Sequence, residues 1–324
     1  MHSQSVFLTS IIIISHKIRL FSHLNACIKQ KQNELLSYPN DSFADLSSFV
    51  FRHVSCIYFA MHLSLVAGFS IDGLLEALVF TQATETPYNS LRRYVRTAYH
   101  IYLWLTEDVF DETSDAFKSI DLVRKMHANV AKRMNRENSG KAHVSQYDMA
   151  IVQSGFFAAV FMYPKHFGIY CTQAELEDYA YAWRVIGYML GIEDQYNICS
   201  GTYEEIYATC KDIEQQVLVP HMRNPPPSFD SIADAYIEGV NLPSNWKIQS
   251  KASVLAYVWY CFDLPNPQKL SWTDTARYYV LRAYISIISW CPGFESFINK
   301  QVHASLIRFG NTKIVEDIKK NKRE

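Results

Sequence analysis

Apolar residues recur along the chain at intervals of three and four, which is the spacing of one face of an α-helix. One such stripe precedes Gly68 and consists of Leu46, Phe49, Val50, His53, Ile57 and Met61. The 11 prolines fall almost entirely between periodic segments, and strand-like alternation bounded by Asn-Gly or Asp-Gly turns is absent. The pattern predicts an all-α protein of about ten helices with no sizeable sheet.

Several helix ends carry their own signals. Ser90 is predicted to cap the helix that contains Arg93. Gly191 stands where the preceding helical pattern stops, as a C-terminal glycine does. Three pairs have the spacing of a capping box and predict helix starts: Ser145 with Asp148, Thr172 with Glu175, and Thr202 with Glu205.

A chain of 324 residues is long enough for a sizeable core. We expect a single globular all-α domain over residues 43–310. It is preceded by a segment, 1–42, that is helical or partly disordered, and followed by a polar tail, 311–324. The run Pro225–Pro227 is the one candidate internal boundary, and we interpret it as a connection inside the domain.

Composition narrows the class of protein. Hydrophobic residues make up 49% of the chain and the net charge is −1, so nothing indicates nucleic-acid binding. The abundant aromatic residues, 21 Tyr, 19 Phe and 6 Trp, favour an apolar cavity or a membrane-facing surface. The seven cysteines are scattered without a Cys-x-x-Cys pair, which indicates an intracellular, reducing compartment and no zinc site.

Two apolar segments bear on membrane contact. Val6–Ile14 is too short to span a bilayer and lacks the basic start of a signal peptide. Tyr278–Trp290 is aromatic but interrupted by Arg282, and both a buried amphipathic helix and a helix lying on a membrane fit it. Without an evident run of about 20 apolar residues, we expect peripheral contact with a membrane and no span.

His127 occupies a position where a core residue is expected. The other members of its helical stripe are all apolar: Ala116, Ile120, Val123, Val130 and Met134. Arg93 and Thr97, upstream, share a helical face of their own. A buried imidazole near an arginine and a hydroxyl suits a haem iron with polar groups around it. A lone buried histidine is also commonly a hydrogen-bonded core residue.

The pattern of apolar positions alone does not identify which histidine would bind the iron. His100 lies on the same helical face as Arg93 and Thr97, and His53 lies on an apolar stripe. Either histidine could instead make an ordinary hydrogen bond between helices.

Charged residues near these positions suggest further roles. Arg124, one turn before His127, could reach a haem propionate. The cluster of Arg92, Arg93 and Arg96 could instead be a solvated helix face. Glu76, in an otherwise apolar helix, is a candidate base for allylic proton abstraction, or a partner for Arg93 that does no chemistry.

Three segments together resemble one family: the Arg93/Thr97 pair, Val123–Val130 and Trp183–Asn197. The family is the ER-bound oxygenase and rubber-oxygenase catalytic family, and the resemblance covers Phe43–Ile213. It implies an apolar pocket that holds haem b, with His127 as the axial iron ligand and Arg93 and Thr97 as polar pocket residues.

The same resemblance implies an activity. Dioxygen would be the oxidant, and a lipophilic, unsaturated, isoprenoid-like molecule would be the substrate. Rubber-cleaving relatives have a glutamate in roughly the region of Glu76. The resemblance also places the protein inside the cell, at the cytoplasmic face of the ER or of another membrane.

Two alternatives stay open at this point. Glu107–Glu112 resembles the Asp-rich motif of class I terpene synthases, which holds magnesium against a diphosphate, but Tyr196 stands where the second motif should begin. The residues of this alternative are Asp108, Asp111, Asn197, Ser200 and Glu204. The other alternative is a non-catalytic helical binding protein that has kept the family fold.

Overall fold

The computed structural model describes residues 41–137, 142–244 and 247–310, and all regular structure within them is helical. This confirms the predicted all-α class. The α-helices are α1 (Asp41–Gly68), α2 (Asp72–Thr81), α3 (Pro87–Thr106), α4 (Asp115–Glu137), α5 (Gln146–Met162), α6 (Gln173–Leu190), α7 (Tyr203–Ile213), α8 (Val219–Arg223), α9 (Phe229–Asn241), α10 (Lys251–Cys261), α11 (Trp272–Trp290) and α12 (Pro292–Gly310). Short 3-10 turns at Pro164–Phe167 and Asp194–Tyr196 and a π-helical turn at Glu214–Leu218 connect them.

The helices group into two compact units through which the chain passes more than once. Within the described residues, the first unit comprises residues 41–50, Leu103–Met162 and Cys171–Gln216, and the second comprises Phe51–Tyr102, Tyr163–Tyr170 and residues 217–310. The run Pro225–Pro227 therefore lies inside the second unit and not at its edge.

Within the first unit, α6 packs against α4 and α5, and α5 also packs against α7. Its core is aromatic: Phe157, Tyr179 and Trp183 are almost completely buried, and the rings of Phe157 and Tyr179 stack with centroids 5.8 Å apart. Burial of such large side chains supplies much of the hydrophobic stabilisation of a domain.

The helix ends largely follow the predicted signals. Thr172 and Thr202 each form a complete capping box, and Gly191 ends α6 in the left-handed conformation with φ 107°. Ser145 and Asp148 exchange the expected hydrogen bonds at the start of α5. The prediction for Ser90 is wrong. Because proline favours the first helical turn, α3 begins at Pro87.

The cap of α3 lies before that proline. The hydroxyl oxygen of Thr86 accepts a hydrogen bond from the backbone N–H of Asn89 at 3.2 Å. Ser90 is thus an interior residue of the helix, and its side chain is fully buried.

Within the second unit, α11 packs against α10 and α12. The adjoining part of α1 has non-helical backbone angles at His53 (φ −124°, ψ 15°), which interrupts its hydrogen-bond ladder. The buried side chain of Asn299, on α12, bridges the gap. Its carbonyl oxygen accepts from the N–H of Ser55 at 3.0 Å, and its amide donates to the carbonyl of Arg52. The kink in α1 therefore fixes the position of α12.

One helix in the described ranges is long and apolar enough to cross a membrane, judged by length and composition. It is Leu46–Gly68 within α1, and 67% of the tested window is buried inside the protein. The expectation that the chain has no such segment is therefore wrong. The segment is apolar on average, but the sequence does not show it as an unbroken apolar run, since His53 and His62 lie within it. Core helices of soluble proteins pass the same test, so the segment is weak support for a span.

Candidate haem-binding and oxygenase residues

The middle of α4 has a different environment from its ends. Ala116, Ile120 and Met134 are buried, but no residue of α4 from Asp121 to Val130 is fully buried. His127 is half-buried, and its ring Nδ1 is shielded from solvent. The predicted stripe therefore faces inward at its ends, and its central residues keep accessible surface.

Arg124 adds a cation one turn before His127, because residues three apart are neighbours on a helix surface. It is half-buried, and burial lowers the pKa of its guanidinium, opposed by the negative charge of Asp121 and by Tyr188 on α6. The first unit thus places an imidazole and a partly desolvated guanidinium on adjacent turns, a donor set that fits a haem iron and a propionate.

Arg93 and Thr97 lie in the second unit, on the first half of α3, and both are half-buried. A guanidinium nitrogen of Arg93 donates to the hydroxyl of Thr81 at 3.0 Å, and the hydroxyl of Thr97 donates to the carbonyl of Arg93 at 3.2 Å. Arg92 and Arg96 are exposed. The solvated-face interpretation of this cluster therefore holds for those two residues and fails for Arg93.

Glu76 does not occupy the environment that its proposed role requires. The buried residues of α2 are Leu75 and Leu78, and Glu76 lies on the exposed face of the helix. The neighbouring apolar residue Val79 is also exposed, at 41%. An apolar sequence around a carboxylate was therefore a poor guide to its burial, and this position does not favour the base role.

The two rival histidines have distinct surroundings. Nδ1 of His53 lies 3.0 Å from Oε1 of Glu295, so this imidazole serves the contact between α1 and α12. His100 is half-buried, and burial lowers the pKa of its imidazole, with a smaller effect in the same direction from Arg96.

A buried polar cluster in the second unit was not foreseen from the sequence. Nδ1 of His62 lies 2.7 Å from the hydroxyl of Tyr236, and Nε2 lies 2.5 Å from the amide oxygen of Gln249. Desolvation lowers the pKa of His62 to about 4, opposed by the hydrogen bond to Gln249. The partners are 174 and 187 residues away, so no local pattern could have revealed the cluster.

Tyr94 borders this cluster and follows Arg93 directly. Its ring centroid lies 4.8 Å from that of Tyr236, and its buried hydroxyl has no hydrogen-bond partner among the described residues. A buried hydroxyl of this kind is costly without a partner. Tyr94 is therefore the polar residue on this part of α3 that sequence reasoning missed.

The segment Trp183–Asn197 carries part of the family resemblance. Side-chain hydrogen bonds hold it in place. The amide of Gln153, on α5, donates to the carbonyl of Trp183 at 2.7 Å and to the side-chain oxygen of Asn197 at 3.1 Å. Gly187 provides the space for it, because a Cβ at that position would collide with the side chain of Gln153. Arg184 and Asp194 close the segment with two parallel hydrogen bonds.

Residues of the two synthase-like motifs make local hydrogen bonds. Asp108 accepts a hydrogen bond from the N–H of Phe110, and Asp111 accepts one from the N–H of Thr113, as in exposed loop turns. Ser200 donates to Asp194. No group of three or more His, Cys, Asp or Glu side chains placed to hold a metal ion occurs in the described part of the chain.

These features define an all-α protein whose notable side chains are a half-buried histidine beside an arginine and an Arg/Thr pair on another helix. Residues 46–283 match the family model described as ER-bound oxygenase mpaB/B'/rubber oxygenase, catalytic domain, and the chain belongs to this family. The resemblance noted for Phe43–Ile213 is thus confirmed and extends into α11. Comparisons with curated proteins and with solved structures found no match.

Proposed function

We propose that this protein is a haem-dependent oxygenase that uses dioxygen to oxidise a lipophilic, unsaturated, isoprenoid-like substrate. Membership of an oxygenase catalytic-domain family supports the reaction class. The observation that carries the haem proposal is His127, which lies on an inward face of α4 that stays partly accessible in the middle.

His127 would hold the haem iron, because an imidazole binds iron through an unprotonated ring nitrogen. Arg124 would bind a propionate, because a guanidinium pairs with a carboxylate through charge-assisted hydrogen bonds. Haem b, when bound, supplies an iron centre at which dioxygen is activated.

Arg93 and Thr97 would bind and orient polar atoms of the reactants. One guanidinium nitrogen of Arg93 is committed to Thr81, but the group has five donors, so others remain for a ligand. The hydroxyl proton of Thr97 is committed to the carbonyl of Arg93, and its oxygen keeps lone pairs. In this arrangement Arg93 is the donor and Thr97 an acceptor.

The family description, ER-bound oxygenase and rubber oxygenase, and the aromatic composition support the proposed substrate and location. We place the protein inside the cell, in peripheral contact with the cytoplasmic face of the ER or of another membrane. A lipophilic substrate partitions into such a membrane, so enzyme and substrate would meet there.

The alternatives have less support. Asp108, Asp111 and Ser200, which the synthase alternative needs as magnesium ligands, each make a local hydrogen bond. A non-catalytic binding protein would retain the helices without needing His127 on an accessible face.

An absorption spectrum tests the proposal. Full-length protein purified and reconstituted with haemin should show a Soret band. Incubation with an isoprenoid alkene and ¹⁸O₂ should then give products that carry the label. Reconstituted protein with no Soret band, or labelled-product formation that is independent of bound haem, would overturn it. Release of pyrophosphate from a prenyl diphosphate with magnesium, lost in Asp108→Ala, would establish the synthase instead.

A further inference from the structure

The outward side of α11 is free of charge along its whole length. Its exposed residues recur at helical spacing: Trp272, Thr273, Ala276, Tyr279, Val280, Ala283, Ser286, Ile287 and Trp290. Trp272 is 85% exposed and Trp290 87% exposed. The opposite side buries Leu281, Ile285 and Ile288. The helix therefore has one face in the core and a second apolar face in solvent, which is unusual for a soluble domain.

The charged residues of α11 point away from this exposed face. The guanidinium of Arg282 lies 3.6 Å from the ring centroid of Tyr260 and donates to the hydroxyl of Tyr278 at 2.9 Å. Asp274 accepts from Ser250 at 2.7 Å and from Arg277 at 3.1 Å. The side chain of Arg282 therefore contacts α10. The exposed surface of α11 stays uncharged although Arg282 interrupts the apolar sequence.

The adjoining helix also exposes apolar side chains and adds positive charge. On α12, Phe297 is 57% exposed and Ile307 56% exposed. The exposed charged residues of α12 are Lys300 and Arg308, both basic. Its one acidic residue, Glu295, is half-buried and pairs with His53. The exposed residues of the two helices are thus mostly aromatic, apolar or basic, the combination that anionic lipid surfaces bind.

We infer that the exposed face of α11 and α12, here called the α11–α12 face, docks this protein onto an anionic bilayer. Trp272 and Trp290 are 18 residues apart, which is five helical turns, so they share one side of α11 about 27 Å from each other. They form two anchors at the headgroup level while the helix lies in the membrane plane. Tyr279 and Ile287 insert between them, and Lys300 and Arg308 meet lipid phosphates and carboxylates.

This inference deepens the proposed membrane contact by naming its surface, and it does not depend on haem. The family match ends at residue 283, so much of the α11–α12 face lies beyond it. Docking can be measured without substrate, cofactor or turnover. Failure of docking and failure of the oxygenase proposal are therefore distinguishable.

The test is flotation of the full-length protein with vesicles of phosphatidylcholine, with and without about one-third phosphatidylserine. We expect the wild type to float with the anionic vesicles and the double variant Trp272→Ser/Trp290→Ser to bind at least about tenfold more weakly. The matched control is Tyr170→Ser/Leu122→Ser, which removes two exposed apolar side chains elsewhere and should bind like the wild type. Circular dichroism of each variant checks that the helices are retained.

Two further readouts identify the contact. Lipids brominated on their acyl chains should quench tryptophan fluorescence in the wild type and much less in the double variant. Lys300→Glu/Arg308→Glu should weaken binding to anionic vesicles and reduce its salt dependence. Wild-type protein that does not float, or a double variant that floats equally, overturns the inference. So does a wild-type dimer that the tryptophan changes convert to a monomer, because the face would then be a subunit interface.

Discussion

Adjacent arginines on α3 have different environments although the sequence presents them as one basic cluster. Arg92 is exposed, whereas Arg93 is half-buried and donates to Thr81. A side chain that is partly desolvated and already held in place loses less entropy on binding a ligand. The pair therefore offers a functional position and a matched control one residue away.

Arg93→Ala should lower kcat by about 10- to 100-fold, because removing a positioned charged donor weakens stabilisation of developing charge. Haem content, measured from the Soret absorbance of the reconstituted protein, should stay near that of the wild type. Arg92→Ala should leave both quantities unchanged. Equal losses in the two variants would show that only the positive charge of the helix matters.

Gly187 is a second residue with a checkable task. Gly187→Ala should destabilise the protein by about 1–3 kcal/mol, because the new Cβ collides with Gln153, whose amide is held by Trp183 and Asn197. Urea denaturation followed by circular dichroism measures the change. The control is Gly155→Ala on α5, where a Cβ meets nothing within 4 Å and alanine should be neutral or stabilising. A wild-type midpoint for Gly187→Ala would contradict this account.

At the scale of elements, α1 and α12 are joined by buried polar groups. The kink at His53 leaves backbone groups that Asn299 satisfies, and Glu295 reaches the imidazole of His53 one turn earlier on α12. Buried hydrogen bonds of this type specify one register between helices, since any shift leaves polar groups unsatisfied.

Asn299→Ala should therefore cost about 2 kcal/mol or more in the free energy of unfolding, because the N–H of Ser55 and the carbonyl of Arg52 both lose their partner. Gln301→Ala, two residues along on the exposed side of α12, should change stability by less than about 0.5 kcal/mol. Chemical denaturation of both variants measures these changes in stability. Equal midpoints for the two variants would contradict the structural role of Asn299.

The cluster of His62, Tyr236 and Gln249 ties α1 to α9 and to the start of α10, and its contribution depends on pH. Burial lowers the pKa of His62 from 6.5 to about 4, so the folded protein binds this proton less readily than the unfolded chain. The stability it contributes is complete above pH 6.5 and is lost as the pH falls towards 4. The full loss is on the order of 3 kcal/mol.

Denaturation midpoints between pH 7 and pH 4.5 test this expectation. His62→Gln, which keeps one donor and one acceptor but does not titrate, should be less stable than the wild type at pH 7. Its midpoint should fall less on acidification. Equal pH dependence in the two proteins would assign the acid sensitivity to other groups.

For the whole molecule, features that depend on residues close together in the sequence were predicted well, and features that depend on contacts between distant residues were not. The caps at Thr172 and Thr202 and the stripe of His127 depend on spacings within one helix, which the sequence displays. Ser90 was misplaced because a proline three residues earlier is a stronger helix start. The burial of Glu76 depends on which side of α2 packs against the rest of the unit. Because α2 is apolar on most sides, its sequence does not predict which side that is.

The two units explain why other features were invisible. Each is assembled from separate stretches of chain, so the neighbours of His62 or Asn299 lie far away in the sequence. The outward direction of Trp272 and Trp290 likewise depends on which side of α11 packs against α10 and α12. Sequence pattern identified the helix, and only packing distinguished its buried side from its exposed side.

His127 is the proposed iron ligand on which the haem-dependent function rests. The most direct measurement is the Soret absorbance of haemin-reconstituted wild type, His127→Ala and His100→Ala, with helicity checked by circular dichroism. Alanine favours helix, so α4 should persist in His127→Ala while the Soret band is lost or weak. Added imidazole should restore the band, and His100→Ala should resemble the wild type. A full band in His127→Ala together with its loss in His100→Ala would contradict the assignment and move the ligand to α3.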